Sequence, residues 1–464
     1  VSRDFVRFLS GTIAILALLA AGLAVANFTQ GPRLTASQIN LDASIERIGA
    51  RLSLTADQPL AAGAARSVTV DPKTDTTSTV SGNTLTVEFT GILRYNTRYT
   101  VTVDGVTGTF NDAASTLRHS FTTPDSRIYA LQRDQRLDAA GAKRPDAVRR
   151  TTLRGRGDGE VVFSAPRIQE YAALDAHLAA VTLDGDGKAS LEVVSFSGGS
   201  TVTVPLPSAG TVSHLRASPS KHLIGYAFTS DPAARGRHFE NTPFTYDLTE
   251  SSGLPREVTG FDGLPMSVLD LDFVPGTTSL VVQAYSQTLY LMQAIGDASP
   301  TPLGIHSEMR GFIPGTRSLV VADPTQGSAI DLDDGKVTTL DLAASVLSEK
   351  AYPGKLTLID GKGRYAQLFL RPTMNANVLN PAITVTGDTG SKIVLAPASN
   401  ASRVRDFCVS PNGQYLAVET ISAEGIADNY SSVPAFTAMS TVFLDLTTGT
   451  STRGVTGFQP NWCG

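Results

Sequence analysis

Charge is scarce in this 464-residue chain: Asp, Glu, Lys and Arg together make up 17% of it, with a formal balance of -5 and a pI near 5.7. Such a balance supports neither a basic surface that steers toward nucleic acid nor a disordered acidic tail, so no nucleic-acid partner is expected. Cysteine is almost absent. Cys408 and Cys463 are the only two, and they form no CxxC pair, which removes zinc-ribbon and dithiol redox chemistry. Catalytic signatures are missing as well. None of the six histidines stands at HExxH spacing, and the chain has no GxSxG elbow, no GxxxxGK[ST] phosphate loop and no Ser-x-Asp-x-Gly box. No catalytic residue, metal ligand or cofactor is assigned, and the chain is read as a non-enzyme. The acidic run Asp184-Gly185-Asp186-Gly187-Lys188 puts a lysine where a calcium loop needs an oxygen, and no bidentate Glu follows, so it reads as a polar hairpin turn.

What is abundant is turn chemistry. Glycine (41) and proline (25) punctuate short stretches rich in Thr, Ser and Val, which favours many short strands and an all-β fold. The length suits two or three domains. One long apolar run stands apart: residues 8–28 carry no charge and, as a helix rising about 1.5 Å per residue, match roughly 30 Å of bilayer hydrocarbon. Arg3 and Arg7 precede it, so the positive-inside tendency places residues 1–7 in the cytoplasm and the rest outside. The expectation is a single-pass membrane protein anchored through residues 8–28. The alternative is a secreted protein cleaved after Ala26, since Ala24-Val25-Ala26 is a small-x-small site.

Residues 29–126 alternate at the two-residue period of half-buried strands, at 50–55, 67–70, 84–89, 98–103 and 119–123. The stretch from Leu93 to Asp125, with Asn96, Thr97, Tyr99 and Phe121-Thr122-Thr123, resembles the C-terminal half of the Ig-like domains of bacterial surface and S-layer proteins. That resemblance implies an Ig-like β-sandwich acting as a spacer; Asn111-Asp112 departs from the usual turn.

From residue 127 to 464 an internal repeat appears. A Pro- or Gly-bearing turn between apolar strands recurs around Pro219, Pro275-Gly276, Pro314-Gly315 and Pro411-Asn412-Gly413, with weaker copies around Asp175 and Asp360-Gly361. The spacing of about 40 to 56 residues is that of a four-stranded propeller blade. These copies resemble the inner hairpin of TolB-like and WD-repeat-like β-propellers, and Asp331 to Gly335 and Asp445 to Gly449 resemble the outer turns. The resemblance implies seven blades, or alternatively six. The C-terminal stretch 457–463 would be the innermost strand of a blade whose outer strands come from 127–132 and 147–153. Cys408 and Cys463 then lie on neighbouring inner strands, a disulfide or two buried thiols.

Three long excursions join second to third strands, at 231–243, 371–381 and 422–440. Such connections emerge on one face of a propeller, which nominates Arg235, Arg237, His238, Phe239, Met374, Tyr430, Phe436 and Met439 as a contact surface. The function expected is a membrane-tethered, extracytoplasmic binding or scaffold protein whose propeller meets an envelope protein or a cell-wall polymer. A propeller hydrolase or lyase acting on envelope glycan or peptide, and a structural surface-layer component, are the alternatives. The basic segment 127–156 reads as a solvated strand face.

Overall fold

The computed structural model describes residues 3–28, 30–133, 143–249, 253–261, 263–296, 298–372, 379–397 and 402–463. The chain divides into two compact units, residues 1–125 and 126–464.

Arg3–Phe28 form a helix. The membrane-anchored arrangement through residues 8–28, and the location inferred from it, are nevertheless overturned: no helix among the described residues is long and apolar enough to cross a membrane.

The rest of the first unit is a sandwich of two antiparallel sheets. Strands β1 (Leu34–Ile39), β2 (Ala50–Ala56), β3 (Val68–Asp71), β4 (Thr76–Ser81), β5 (Thr84–Phe89), β6 (Arg98–Val106) and β7 (Ser115–Thr122) pair as β1-β2-β5-β4 and β3-β6-β7. Alternation in the sequence becomes alternation in burial: Leu52 and Leu54 of β2, Leu85, Val87 and Phe89 of β5, and Tyr99, Val101 and Val103 of β6 all face one shared core. The Tyr99 ring stacks on Phe121 of β7 with centroids 5.7 Å apart.

The second unit holds seven antiparallel sheets among its described residues, six of four strands and one of three. In each four-stranded sheet the strands run in chain order, and the six innermost are Ile168–Ala173, Gly210–Ser218, Val268–Phe273, Glu308–Phe312, Tyr352–Leu358 and Ser402–Val409. We number these sheets as blades 1 to 6. A twisted sheet cannot cover both of its own faces, so neighbouring blades cover each other. One apolar cluster joins Val181 and Leu191 of blade 1 to Tyr226 and Phe244 of blade 2. Others join Val281 and Leu289 of blade 3 to Leu319 and Val321 of blade 4, and Ala366 and Ile383 of blade 5 to Phe407 and Val418 of blade 6. The unit is a β-propeller.

The three-stranded sheet, Arg127–Gln132, Asp146–Thr152 and Glu160–Ala165, is blade 7, and the C-terminus completes it. Leu131 and Phe458 exchange both backbone bonds, at 2.9 and 3.0 Å, and the Asn461 side chain accepts from the Tyr129 N–H at 2.9 Å. Gly457 sits at φ 120°, and a Cβ there would lie 2.7 Å from the Leu131 carbonyl oxygen, so glycine lets the two backbones close. Phe458 then fills a cluster with Leu131, Ile168, Tyr171 and Ile421, which bridges blades 6, 7 and 1.

Cys408, on the innermost strand of blade 6, is bonded to Cys463, with Cα atoms 5.4 Å apart and the two positions 55 apart in sequence. The bond ties the closing strand to the blade beside it. Reduction, or the pair Cys408→Ser and Cys463→Ser, is expected to lower stability by about 2–4 kcal/mol, read as a fall in the denaturant midpoint of the full chain under reducing against oxidising conditions.

Candidate interaction face and axial site

The nominated contact residues divide on inspection. Arg235 and His238 are exposed on the 231–241 connection. Arg237 is exposed but committed, forked onto both carboxylate oxygens of Glu257 at 2.6 and 2.8 Å. Phe239 is half-buried, edge-on to Phe228 and Phe244 with centroids 6.0 and 5.4 Å away. Met374 lies outside the described residues.

The 422–440 connection departs from expectation. Tyr430 and Met439 are buried, and Phe436 is half-buried under the Arg403 guanidinium. The reason is Arg133, at the end of the Arg127–Gln132 strand. Its guanidinium is buried, donates to Asp428 at 2.6 Å, to the Gln169 carbonyl at 2.6 Å and to the Ile168 and Val433 carbonyls at 3.0 Å, and lies 3.7 Å from the Tyr430 ring centre. The Tyr430 hydroxyl donates to Asp146. Burial first, and then that bond to a carboxylate, push the Tyr430 phenol well above its ordinary pKa. The connection therefore folds onto blade 7 as a clasp, and Tyr430, Phe436 and Met439 are structural. Removing one partner of a buried ion pair strands the other: Arg133→Ala is expected to cost about 3–5 kcal/mol, and Arg133→Met combined with Asp428→Leu markedly less, as read by denaturant unfolding.

The exposed apolar side chains of the same face come from elsewhere. In every blade the connection from one blade's last strand to the next blade's first emerges beside the second-to-third connections, because the strands alternate in direction. Those segments are stitched together across blades 2, 3 and 4: the Val268 N–H donates to the Asn241 carbonyl at 3.0 Å, Tyr285 to Ser267 at 3.2 Å, and His306 to Gln287 at 3.0 Å. Along that strip Phe261 is 70% exposed, Leu264 60%, Ile305 69% and Tyr285 46%. Sequence reasoning missed them because short links looked less promising than long ones; the available signal was apolar residues at turn positions, as in Phe261-Asp262-Gly263-Leu264.

A second feature lies on the axis. All six first-strand pairings of blades 1 to 6 shift register by a bulge, at Ile168/Glu170, Ser213/Arg216, Val268/Asp270, Met309/Phe312, Pro353/Leu356 and Val404/Asp406. Bulges re-aim side chains, and here charged residues cluster at or beside them. Several pair off: Arg216 with Asp270 at 3.6 Å, Lys355 with Asp406 at 2.7 Å, and Arg405 with Glu419. Among the described residues no group of three or more His, Cys, Asp or Glu could hold a metal ion. The Asp184 turn is the polar hairpin expected, its carboxylate accepting from the Asp186 and Lys188 N–H groups at 3.0 and 2.8 Å.

Asp272, two residues beyond Asp270, has its carboxyl pushed up to about 7, chiefly by burial, with Arg216 acting in the opposite direction. A carboxyl whose folded pKa exceeds its unfolded value stabilises the fold below the unfolded pKa, near 4, and that stability fades as pH rises through 7. Asp272→Asn is accordingly expected to melt at a higher temperature than the parent at pH 8, by on the order of 1–3 kcal/mol of stability, with no advantage at pH 4.

No family model matches the sequence, and no curated protein matches it significantly. Solved structures similar to the chain include the Cps50 (Swd1) beta-propeller domain of Myceliophteria thermophila, at 10% identity over 63% of this chain and 86% of that one with a TM-score of 0.38. The dihydro-heme d1 dehydrogenase NirN is similar at 12% identity over 72% and 74% with a TM-score of 0.41. A prolyl endopeptidase is similar at 11% identity over 78% of this chain and 49% of that one, with a TM-score of 0.46. These are likenesses of fold alone, and the seven sheets described above carry the assignment: the second unit is a β-propeller.

Proposed function

We propose that this chain is a binding module whose propeller captures a protein partner on the strip formed by blades 2, 3 and 4. The observation that carries the reading is the exposure of Phe261, Leu264, Tyr285 and Ile305 along one hydrogen-bonded strip. Exposed apolar clusters of this kind mark interaction surfaces, and aromatic residues are enriched where partners anchor. Arg235 and His238 would form its polar rim. A protein partner is favoured over a wall polymer because the anchors are aliphatic as well as aromatic.

A binding role is also favoured over a hydrolytic one by how the axial carboxylates are used. Glu170 accepts from the Leu215 N–H at 2.9 Å and the Ser432 hydroxyl at 2.7 Å, and Glu419 from the Gln459 N–H at 2.6 Å and from Arg405. Both hold strands in place. For the first unit we favour an immunoglobulin-like domain. Its β1-β2-β5-β4 and β3-β6-β7 orders are those of the constant-type sandwich, and the Tyr99 hydroxyl, at the start of the sixth strand, accepts from the Arg94 N–H at 3.1 Å, as in a tyrosine corner.

The test is crosslinking and co-purification from cells that natively make the protein, comparing the parent chain with Phe261→Asp/Ile305→Asp and with Val202→Asp on an outer strand. The first variant is expected to lose the captured protein by at least tenfold while melting like the parent, and the second to retain it. An unchanged partner set in the first variant would sink the proposal.

A further inference from the structure

A strand at the edge of a sheet carries a row of backbone N–H and C=O groups with no ladder partner, and folded proteins guard such rows with charge, proline, bulges or brevity. Among the described residues the outermost strand of every blade is guarded in this way. Val202–Val204, Arg256–Glu257 and Val337–Thr339 are only two or three residues long. Glu160–Ala165, Thr301–Ile305, Gly390–Leu395 and Ser451–Thr456 each carry a charge or a proline, and each pairs with a shift of register. In the sandwich, β1 is bulged between Leu34 and Ala36, β3 has four residues and ends on Asp71, and β7 carries Arg118 and His119.

Strand β4 has none of these devices. Its sequence, TTSTVS, lacks charge and proline, and its six residues pair with β5 in unbroken register, from Thr76 opposite Phe89 to Ser81 opposite Thr84. The two-residue turn Gly82-Asn83 makes Ser81 and Thr84 a hydrogen-bonded pair. By alternation Thr77, Thr79 and Ser81 bond to β5, and the N–H and C=O groups of Thr76, Ser78 and Val80 point outward. Among the described residues no backbone hydrogen bond ties those three to a neighbouring loop. The Ala62–Arg66 turn meets β4 from the core side instead, where the Ser78 hydroxyl donates to the Ala65 carbonyl and Val80 packs on the core.

The outward groups are symmetric about Ser78. Two copies of β4 laid antiparallel across a two-fold axis through Ser78 pair Thr76 of each copy with Val80 of the other, and use every outward N–H and C=O. On the solvent side the exposed Thr77 of each copy then lies opposite Thr79 of the other, a cross-strand pair of a kind that stabilises sheets. Asp75 falls opposite Ser81, so no charge meets a like charge. We infer that β4 is a self-pairing edge through which a second copy of this chain joins the two β1-β2-β5-β4 sheets into one. The two-fold consumes the edge in both copies, so assembly stops at a dimer. The contact lies in the first unit and is independent of the apolar strip on the propeller.

Sedimentation velocity of the full oxidised chain over a range of concentrations tests this. The parent is expected to show a reversible monomer–dimer equilibrium. Thr77→Lys combined with Thr79→Lys sets lysine against lysine on both sides of the axis and is expected to weaken the dimer at least tenfold; Thr77→Lys combined with Thr79→Glu sets each lysine against a glutamate and is expected to restore it. Both side chains are exposed, so both variants should melt like the parent. Phe261→Asp/Ile305→Asp is expected to dimerise normally, and loss of the dimer there would move the contact to the propeller and overturn the inference. A parent monomeric at every concentration, a double-lysine variant that dimerises like the parent, or a folded lysine–glutamate variant as weak as the double-lysine one would each overturn it too. Capture of a different protein by a monomeric parent, lost in the double-lysine variant, would assign the edge to a foreign strand instead.

Discussion

The ring closes on one short pairing, Leu131 with Phe458. Blades 1 to 6 are each built from consecutive chain, and their faces are covered by their neighbours. Blade 7 alone lacks an inner strand until the last residues arrive. Everything else at that seam supports the pairing. Gly457 permits the close approach, the bond from Cys408 to Cys463 fixes the strand's far end, and the Arg133 clasp draws the 422–440 connection across the top. A cyclic array with one open seam exposes two blade faces, so these contacts protect apolar surface far beyond their own area.

The same closure creates the axial site. Gln459 and Glu419 are 40 residues apart in sequence and Glu170 is far from both, yet the seam brings all three to one cavity. Each of the six bulges interrupts an innermost strand, and pairs such as Lys355 with Asp406 link blade 5 to blade 6. The apolar strip over blades 2 to 4 lies away from the seam.

Much of the architecture was legible because turns are locally encoded. Gly276, Gly315 and Gly413 all adopt positive φ in the first hairpin of their blades, and only glycine does so freely, so the repeat stood out. The weaker copies around Asp175 and Asp360 mark first hairpins as well. In the sandwich, β2, β3, β5, β6 and β7 were marked by alternation, whereas β1 and β4 were not. LTASQI and TTSTVS are sheet-edge strands with no fully buried residue, and an edge strand need not carry an apolar face.

At the candidate site, the misreadings were of contacts distant in sequence. Nothing local to Tyr430 indicates that Arg133, roughly 300 residues earlier, will bury it, so a long aromatic connection passed for a contact loop. The axial charges were equally scattered; Leu269-Asp270-Leu271-Asp272-Phe273 shows alternation with acid on one side, but which side faces an axis is decided by the ring. For the binding face, the most direct measurement is a hydrogen-exchange footprint of the full chain with and without its captured partner. Protection at 259–269, 285–287 and 305–307 is the predicted result; protection instead at the opposite-face hairpins 219–222, 275–278, 314–317 and 411–414 would contradict the account.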